Sequence, residues 1–289
     1  MRKRAIVENI VQTIIYTALA VLALCCLFPF VYVFCMSIAT ADEIAQTSII
    51  LIPEKVTFKA YQDIWSSGTI TQAYRITLFV TIVGTAFNLL FTTVTAYPLA
   101  KKMLPGRNLI LLYVLFTMLF SGGMIPLYIL VKELGLLNSV WSLMVPGLIS
   151  VFLLVIMKGF FEQLPDGIEE SARIDGAGEL TLLVRIVLPL SKPIIATLGL
   201  FYAVSHWNSY FDAILYIGNP ANYPLQVVLR NILIGTRAIT EYSPELLEQM
   251  NAFSVQMAAV IVATLPILIV YPFVQKHFTK GVLLGSIKG

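Results

Sequence analysis

The chain is short of charge. Only 12% of its 289 residues are Asp, Glu, Lys or Arg, while 58% are hydrophobic, and the mean hydropathy is +0.86. No soluble domain of this size has that balance, so the composition excludes a soluble protein and requires an integral membrane one. There are two histidines, and His206 and His277 are too far apart and too poorly accompanied for a metal site. The three cysteines, Cys25, Cys26 and Cys35, all fall in the first apolar segment, without metal spacing or an obvious disulfide partner. They read as small buried apolar residues. The phosphate-cradling pattern G-x-x-x-x-G-K-[ST] is missing, so the chain is expected to bind no ATP itself. No Asn-x-Ser/Thr acceptor, repeat period or low-complexity tract occurs. The net charge of +3 is accounted for by membrane topology and calls for no nucleic-acid partner.

What is present is a series of long apolar runs. Met1-Arg2-Lys3-Arg4 opens the chain, and Glu8 is the only further charge before Asp42. A basic start followed by an apolar run and Ala39-Thr40-Ala41 has the outline of a signal peptide. The uncharged run from Asn9 to Ala41 is too long for that, and predicts an uncleaved first transmembrane helix at about 11–36. Five further charge-free windows follow, at 76–100, 108–131, 134–157, 193–211 and 249–275. Each can cross roughly 30 Å of hydrocarbon at about 1.5 Å per residue. The fifth of the six helices is expected to continue past Asp212 toward Gly218.

Thirteen of the 19 Lys and Arg fall on the side of the N-terminus, Arg2, Lys101, Arg107, Lys158, Arg173 and Lys192 among them. That bias places both termini in the cytoplasm. Two outward segments are long. Residues 37–72 contain Pro53 and Ser66-Ser67-Gly68; residues 218–248 carry three X-Pro breaks around the apolar run Leu225–Leu233. Neither has the composition of a disordered segment, and together they would form a small outer platform for a partner.

The one long polar interruption runs from Leu164 to Pro193, between two membrane-length segments. Asp166 and Glu169 have the form of a capping box, predicting a helix from near Gly167. Gly176 and Gly178 suit a helix end and a sharp turn. A second helix is expected from about Glu179 to Pro189, whose missing N–H stops or kinks it. The product is a helix–turn–helix knuckle carrying Glu169, Glu170, Arg173, Asp175 and Glu179. An ordinary solvated loop is the alternative.

Within it stand Glu170-Ser171-Ala172, then Gly176-Ala177, then Ile186 and Leu188-Pro189. That spacing resembles the EAA motif of ABC-transporter permease subunits, with Ser171 where the family usually has Ala. The resemblance covers nearly the whole chain, is most specific at 164–193 and is weakest over 37–72. It implies an all-α integral membrane protein of six transmembrane helices with the type I ABC importer permease fold. Its core would span about 71–275, and its tail 276–289. It also implies that Glu169, Glu170, Ser171, Ala172, Asp175, Gly176, Ala177, Leu188 and Pro189 dock a cytoplasmic ATPase. Gly123–Tyr128, continuing to Leu134–Asn138, is similar to a stretch of the sugar-importing branch. The ending Gly281–Gly289 resembles the Lys-Gly tail of the maltose-type subunit, which would bring Gly285, Lys288 and Gly289 to the ATPase; a frayed terminus is the alternative.

His206-Trp207-Asn208-Ser209-Tyr210 with Asp212 is the most polar cluster within a membrane-length segment. Polar groups there usually face a bundle interior or an aqueous path. Trp207-Asn208 also matches the family's Trp-Asn pair, which would make Trp207, Asn208 and Tyr210 candidates for the substrate path. An aromatic belt at the outer interface is the other reading. The family implies a non-catalytic permease of a carbohydrate importer in the bacterial cytoplasmic membrane. Its partners would be a second homologous permease, two ATPases that hold ATP and Mg, an extracytoplasmic sugar-binding protein and lipid. The rivals are an ion-coupled secondary transporter, an importer of a non-sugar solute, and a membrane enzyme. No nucleophile–base pair supports the enzyme, and apart from His206 the six windows hold no ionisable group before Asp212.

Overall fold

The computed structural model describes residues 2–46, 49–242 and 252–286, and these are almost wholly helical. In chain order the helices are α1 (Arg2–Ile38), α2 (Ala41–Gln46), α3 (Lys59–Ser66), α4 (Thr69–Ala100), α5 (Arg107–Leu119) and α6 (Met124–Glu133). There follow α7 (Val151–Phe161), α8 (Asp166–Ile174), α9 (Glu179–Leu182), α10 (Leu188–Leu190) and α11 (Lys192–Trp207). The last are α12 (Phe211–Tyr216), α13 (Leu225–Tyr242) and α14 (Ala252–Ser286). Two compact units result, one from residues up to Thr69 with 229–265, the other from 70–228 with the C-terminal residues.

In the first unit α1 is apolar on every face, and its residues 8–31 are exposed. A helix of that kind is solvated by lipid rather than by protein. Cys25 and Cys26 are therefore exposed; only Cys35 is buried, with its Sγ 3.0 Å from the Leu51 carbonyl oxygen. The segment after α1 is ordered upon it: Thr57 N–H donates to Ile38 O at 2.8 Å, and the Ser37 and Tyr61 hydroxyls pair at 2.7 Å. Met36, Ala39 and Ile50 form a small core there with Phe253 and Met257. The stretch 218–248 contains α13, so its apolar run is helical rather than loop.

The second unit is built on α4. Its buried face carries Ala73, Thr77, Gly84, Asn88, Thr92 and Ala96, a stripe of small and polar residues at helical spacing. Bilayer helices gain little from apolar burial against one another, so close approach and interhelical hydrogen bonds hold them instead. At one end Ala96, Tyr97 and Leu99 pack with Leu153, Leu154 and Met157 of α7, Leu183, Val187, and Leu198 of α11.

Among the described residues three helices are long and apolar enough to cross a membrane: Glu8–Ile38, Thr69–Ala100 and Ala252–Val270. Two bent pairs raise the number to five if each is one span. The windows 108–131 and 134–157 are not the straight helices expected of them. α5 and α6 meet at 110° across Phe120–Gly123, where Gly123 has φ +92°. Pro126 then sits in the first turn of α6, where its missing N–H costs no bond. α6 ends on Gly135 at φ +68°, and after Asn138, at φ +59°, the chain makes only a short 3-10 turn, Val140–Leu143, before α7. α14 continues past Lys276 to Ser286, so the described part of the expected tail extends the helix.

Candidate functional site

The knuckle starts one residue earlier than the capping-box reading. Pro165 is the N-cap of α8 and Asp166 its first residue. Glu169 does not cap; it forms an ion pair with Lys101, just beyond α4. At the other end Asp175 is the C-cap and Gly176 takes φ +84°. Ala177 N–H donates to Ala172 O at 2.9 Å and Gly176 N–H to Arg173 O at 3.0 Å. This double closure is the Schellman arrangement, and it needs a residue that accepts a left-handed backbone. A Cβ on Gly176 would meet nothing within 4 Å, so the requirement is conformational rather than steric. Gly178 is extended and serves as the N-cap of α9.

Ser171, the one departure from the motif, donates its hydroxyl to the Gly167 carbonyl at 2.7 Å. The hydroxyl is satisfied inside its own helix, so α8 presents the same outline that Ala would give. Beyond α9 the chain makes one π-helical turn, Leu183–Val187, before Pro189 in α10. A proline ring crowds the carbonyl four residues before it, and widening the turn accommodates the ring without breaking the rod. The kink falls later, between Leu190 and Lys192, at 82°.

Ion pairs and a hydrogen bond hold this knuckle together and fix it to the end of α4, and Glu162 links the ends of α5 and α7. Tyr97 O–H donates to Glu179 Oε2 at 2.8 Å, and Arg173 Nη2 lies 2.5 Å from Glu179 Oε1. Glu162 pairs with Lys158 at 2.8 Å and with Arg107. Leu182, Leu183, Val187 and the partly buried Leu188 anchor the inner side, whereas Glu170, Asp175 and Pro189 are exposed. Two apolar side chains also stand in the open: Ile174 is 87% exposed and Leu180 74%. Gly285 lies on the α14 backbone, and Lys288 and Gly289 lie outside the described residues.

A second feature is a cavity of about 480 Å³ between the irregular segment 142–150, the end of α11 and α12. Asn208 and Tyr210 line it, as do His206, Ser209 and Asp212. Trp207 does not; it is 6% exposed and meets Tyr74 edge-on at 6.0 Å. The helix is broken at Asn208–Tyr210, and Asn208 caps it, its Nδ2 donating to Val204 O at 2.9 Å. Non-helical backbone at membrane depth is tolerated where it lines a cavity.

The wall of the cavity is fixed by residues that the sequence did not single out. Asn88, 1% exposed, donates through Nδ2 to Gly147 O at 2.8 Å and to Leu148 O at 2.9 Å. Its Oδ1 lies 2.6 Å from His206 Nε2. Because the Asn88 amide nitrogen serves two carbonyls, Oδ1 is the acceptor and His206 carries its proton on Nε2. Tyr202 completes the wall: its hydroxyl accepts from Ser150 N–H at 3.1 Å and pairs with Thr92 at 2.8 Å. A Cβ on Gly84 would lie 2.6 Å from His206 Nε2, so the imidazole fits only against a glycine. The available signal was the spacing Gly84-x3-Asn88-x3-Thr92, one small or polar residue per turn of an apolar helix.

A chain with such a knuckle in its second unit, and with a polar cavity among apolar helices, is similar to the members of one family. The profile of the binding-protein-dependent transport system inner membrane component matches residues 99–284. The chain belongs to that family. Protein LplC of Bacillus subtilis is 49% identical over 91% of this chain and 90% of its own length. The polygalacturonan/rhamnogalacturonan transport system permease protein YtcP of Bacillus subtilis is 45% identical over 98% of this chain and 99% of its own. A chain from the crystal structure of a bacterial ABC transporter involved in import of the acidic polysaccharide alginate superposes with TM-score 0.88. It is 33% identical, covering 94% of this chain and 97% of that one. The protein is accordingly a multi-pass inner-membrane component of an ABC importer, a non-catalytic subunit that works with an ATPase and a substrate-binding protein.

Proposed function

We propose that this chain forms half of the translocation path of an ATP-driven sugar importer and couples that path to a cytoplasmic ATPase. Family membership and the sugar-transport relatives support the sugar class. The observation that carries the coupling role is the knuckle: a charged helix–turn–helix bonded to α4, with Ile174 and Leu180 bare at its surface. Apolar side chains so exposed on a polar element fit a protein cleft.

Six crossings are supplied by α1, α4, the α5–α6 pair, the segment 134–161, the α9–α11 pair and α14. The Lys and Arg bias orients both termini and the knuckle toward the cytoplasm. Glu169, Glu170, Ser171, Ala172, Asp175, Gly176 and Ala177 form the coupling surface together with the exposed Pro189, and Leu188 seats it. The tail with Gly285, Lys288 and Gly289 reaches the ATPases, two copies of which bind ATP and Mg, so that this chain needs no cofactor. A second homologous permease closes the path, to which this chain contributes Asn208 and Tyr210, with Trp207 packed behind them. Residues 218–248 meet the binding protein.

Purification from native membranes in mild detergent tests the assignment. The chain is expected to bring with it a second permease and two ATPase copies, and uptake in proteoliposomes is expected to need ATP and the binding protein. A chain that purifies alone and drives uptake from an ion gradient would be a secondary transporter instead.

A further inference from the structure

The cavity is rich in hydroxyls and has a single carboxylate. Ser142, Ser150, Ser205, Ser209, Tyr202 and Tyr210 line it together with Asp212, and no lysine or arginine does so among the described residues. Asp212 stands one turn before Tyr216 on α12, and the ring of Tyr216 also lines the space. An ionised carboxylate only accepts hydrogen bonds, so Asp212 selects for donors. Sugar hydroxyls are such donors, and their C–H faces suit a neighbouring aromatic ring. A uronic-acid carboxylate is the opposite case. It needs a cationic or charge-assisted donor, and the carboxylate of Asp212 would repel it.

We infer that this cavity binds a neutral sugar unit and that Asp212 excludes uronic acids from it. The inference rests on the sugar-importer reading above and narrows it. It also separates the cargo held by this subunit from the uronic-acid polymers named for both YtcP and the alginate importer.

The test is equilibrium binding to the purified complete transporter, with the binding protein omitted so that its own selectivity does not enter. Two probes differ only at C6: α-1,4-linked galactotriose and the corresponding trigalacturonate. The wild type is expected to bind the neutral trisaccharide about ten-fold more tightly. Asp212→Asn should bring that ratio close to one, and Asp212→Glu should keep it. Trigalacturonate bound as tightly as galactotriose, or a ratio that Asp212→Asn leaves unchanged, overturns the inference while leaving the sugar importer intact. If neither probe binds, the cavity is no sugar site, and the path assignment falls with the inference. Should Asp212→Asn fail to co-purify with the ATPase, the wild-type ratio alone decides.

Discussion

The phenol of Tyr97, near the end of α4, donates to the carboxylate of Glu179, 82 residues further on, at 2.8 Å. Because Arg173 holds the other oxygen of Glu179, both halves of the knuckle are fastened to one membrane helix through a single carboxylate. The same helix carries Asn88 and, through it, the wall of the cavity. α4 is thus the element that the knuckle and the cavity wall share.

Tyr97→Phe removes that donor and keeps the ring that meets Phe161 edge-on and lies under Lys101. A hydrogen bond to a charged but half-exposed partner is worth about 1 kcal/mol. The complex should assemble, with substrate-stimulated ATP hydrolysis lowered several-fold while basal hydrolysis is kept. Unchanged stimulation would mean that the Glu179 link carries no motion.

Gly84→Ala places a methyl carbon on the His206 ring, and overpacking of this kind costs about 1–3 kcal/mol. Thermal unfolding of the purified complex should show the loss, and His206→Ala should relieve it in the double variant. Additive effects would show that the two residues do not share one space.

Asn88→Leu leaves the carbonyls of Gly147 and Leu148 and the His206 N–H without their amide partner. Each buried group left unsatisfied costs about 1–3 kcal/mol, so this variant should be among the least stable single changes. Asn88→Asp should not restore it, since a carboxylate cannot donate to carbonyls. Melting temperatures close to wild type for either variant would contradict the network.

The knuckle was legible because Gly, Pro and acidic residues mark helix ends with their own backbone chemistry; its glycine turn follows from Gly176 alone. The capping-box reading missed because Pro165 can hold the N-cap backbone itself, which released Glu169 to reach Lys101. The six charge-free windows were a poorer guide to helices. Hydropathy measures the cost of lipid exposure and says nothing of φ, so the breaks at Gly123, Gly135 and Asn138 passed inside apolar runs. The cavity wall was hidden for another reason. Asn88 and His206 are 118 residues apart, and nothing local tells either that the other is its partner.

Asn208→Ala removes the side-chain cap of α11 at the point where the helix breaks beside the cavity. The Val204 carbonyl keeps its backbone donor, Asn208 N–H at 3.1 Å, so the helix end should survive. Transport should slow several-fold, with assembly on the ATPase unaffected. Normal uptake over a range of substrate concentrations would place the path elsewhere.

The coupling role of the knuckle is tested most directly at Gly176. A β-branched residue at φ +84° is strained by about 1–2 kcal/mol, whereas Asn tolerates that backbone. The measurement is solute imported per ATP hydrolysed, in proteoliposomes of the complete transporter carrying Gly176→Val or Gly176→Asn. Gly176→Val is expected to assemble but to lose about ten-fold in that ratio, and Gly176→Asn to stay near wild type. A Gly176→Val transporter that imports at the wild-type ratio would show that the knuckle does not transmit the work of the ATPase.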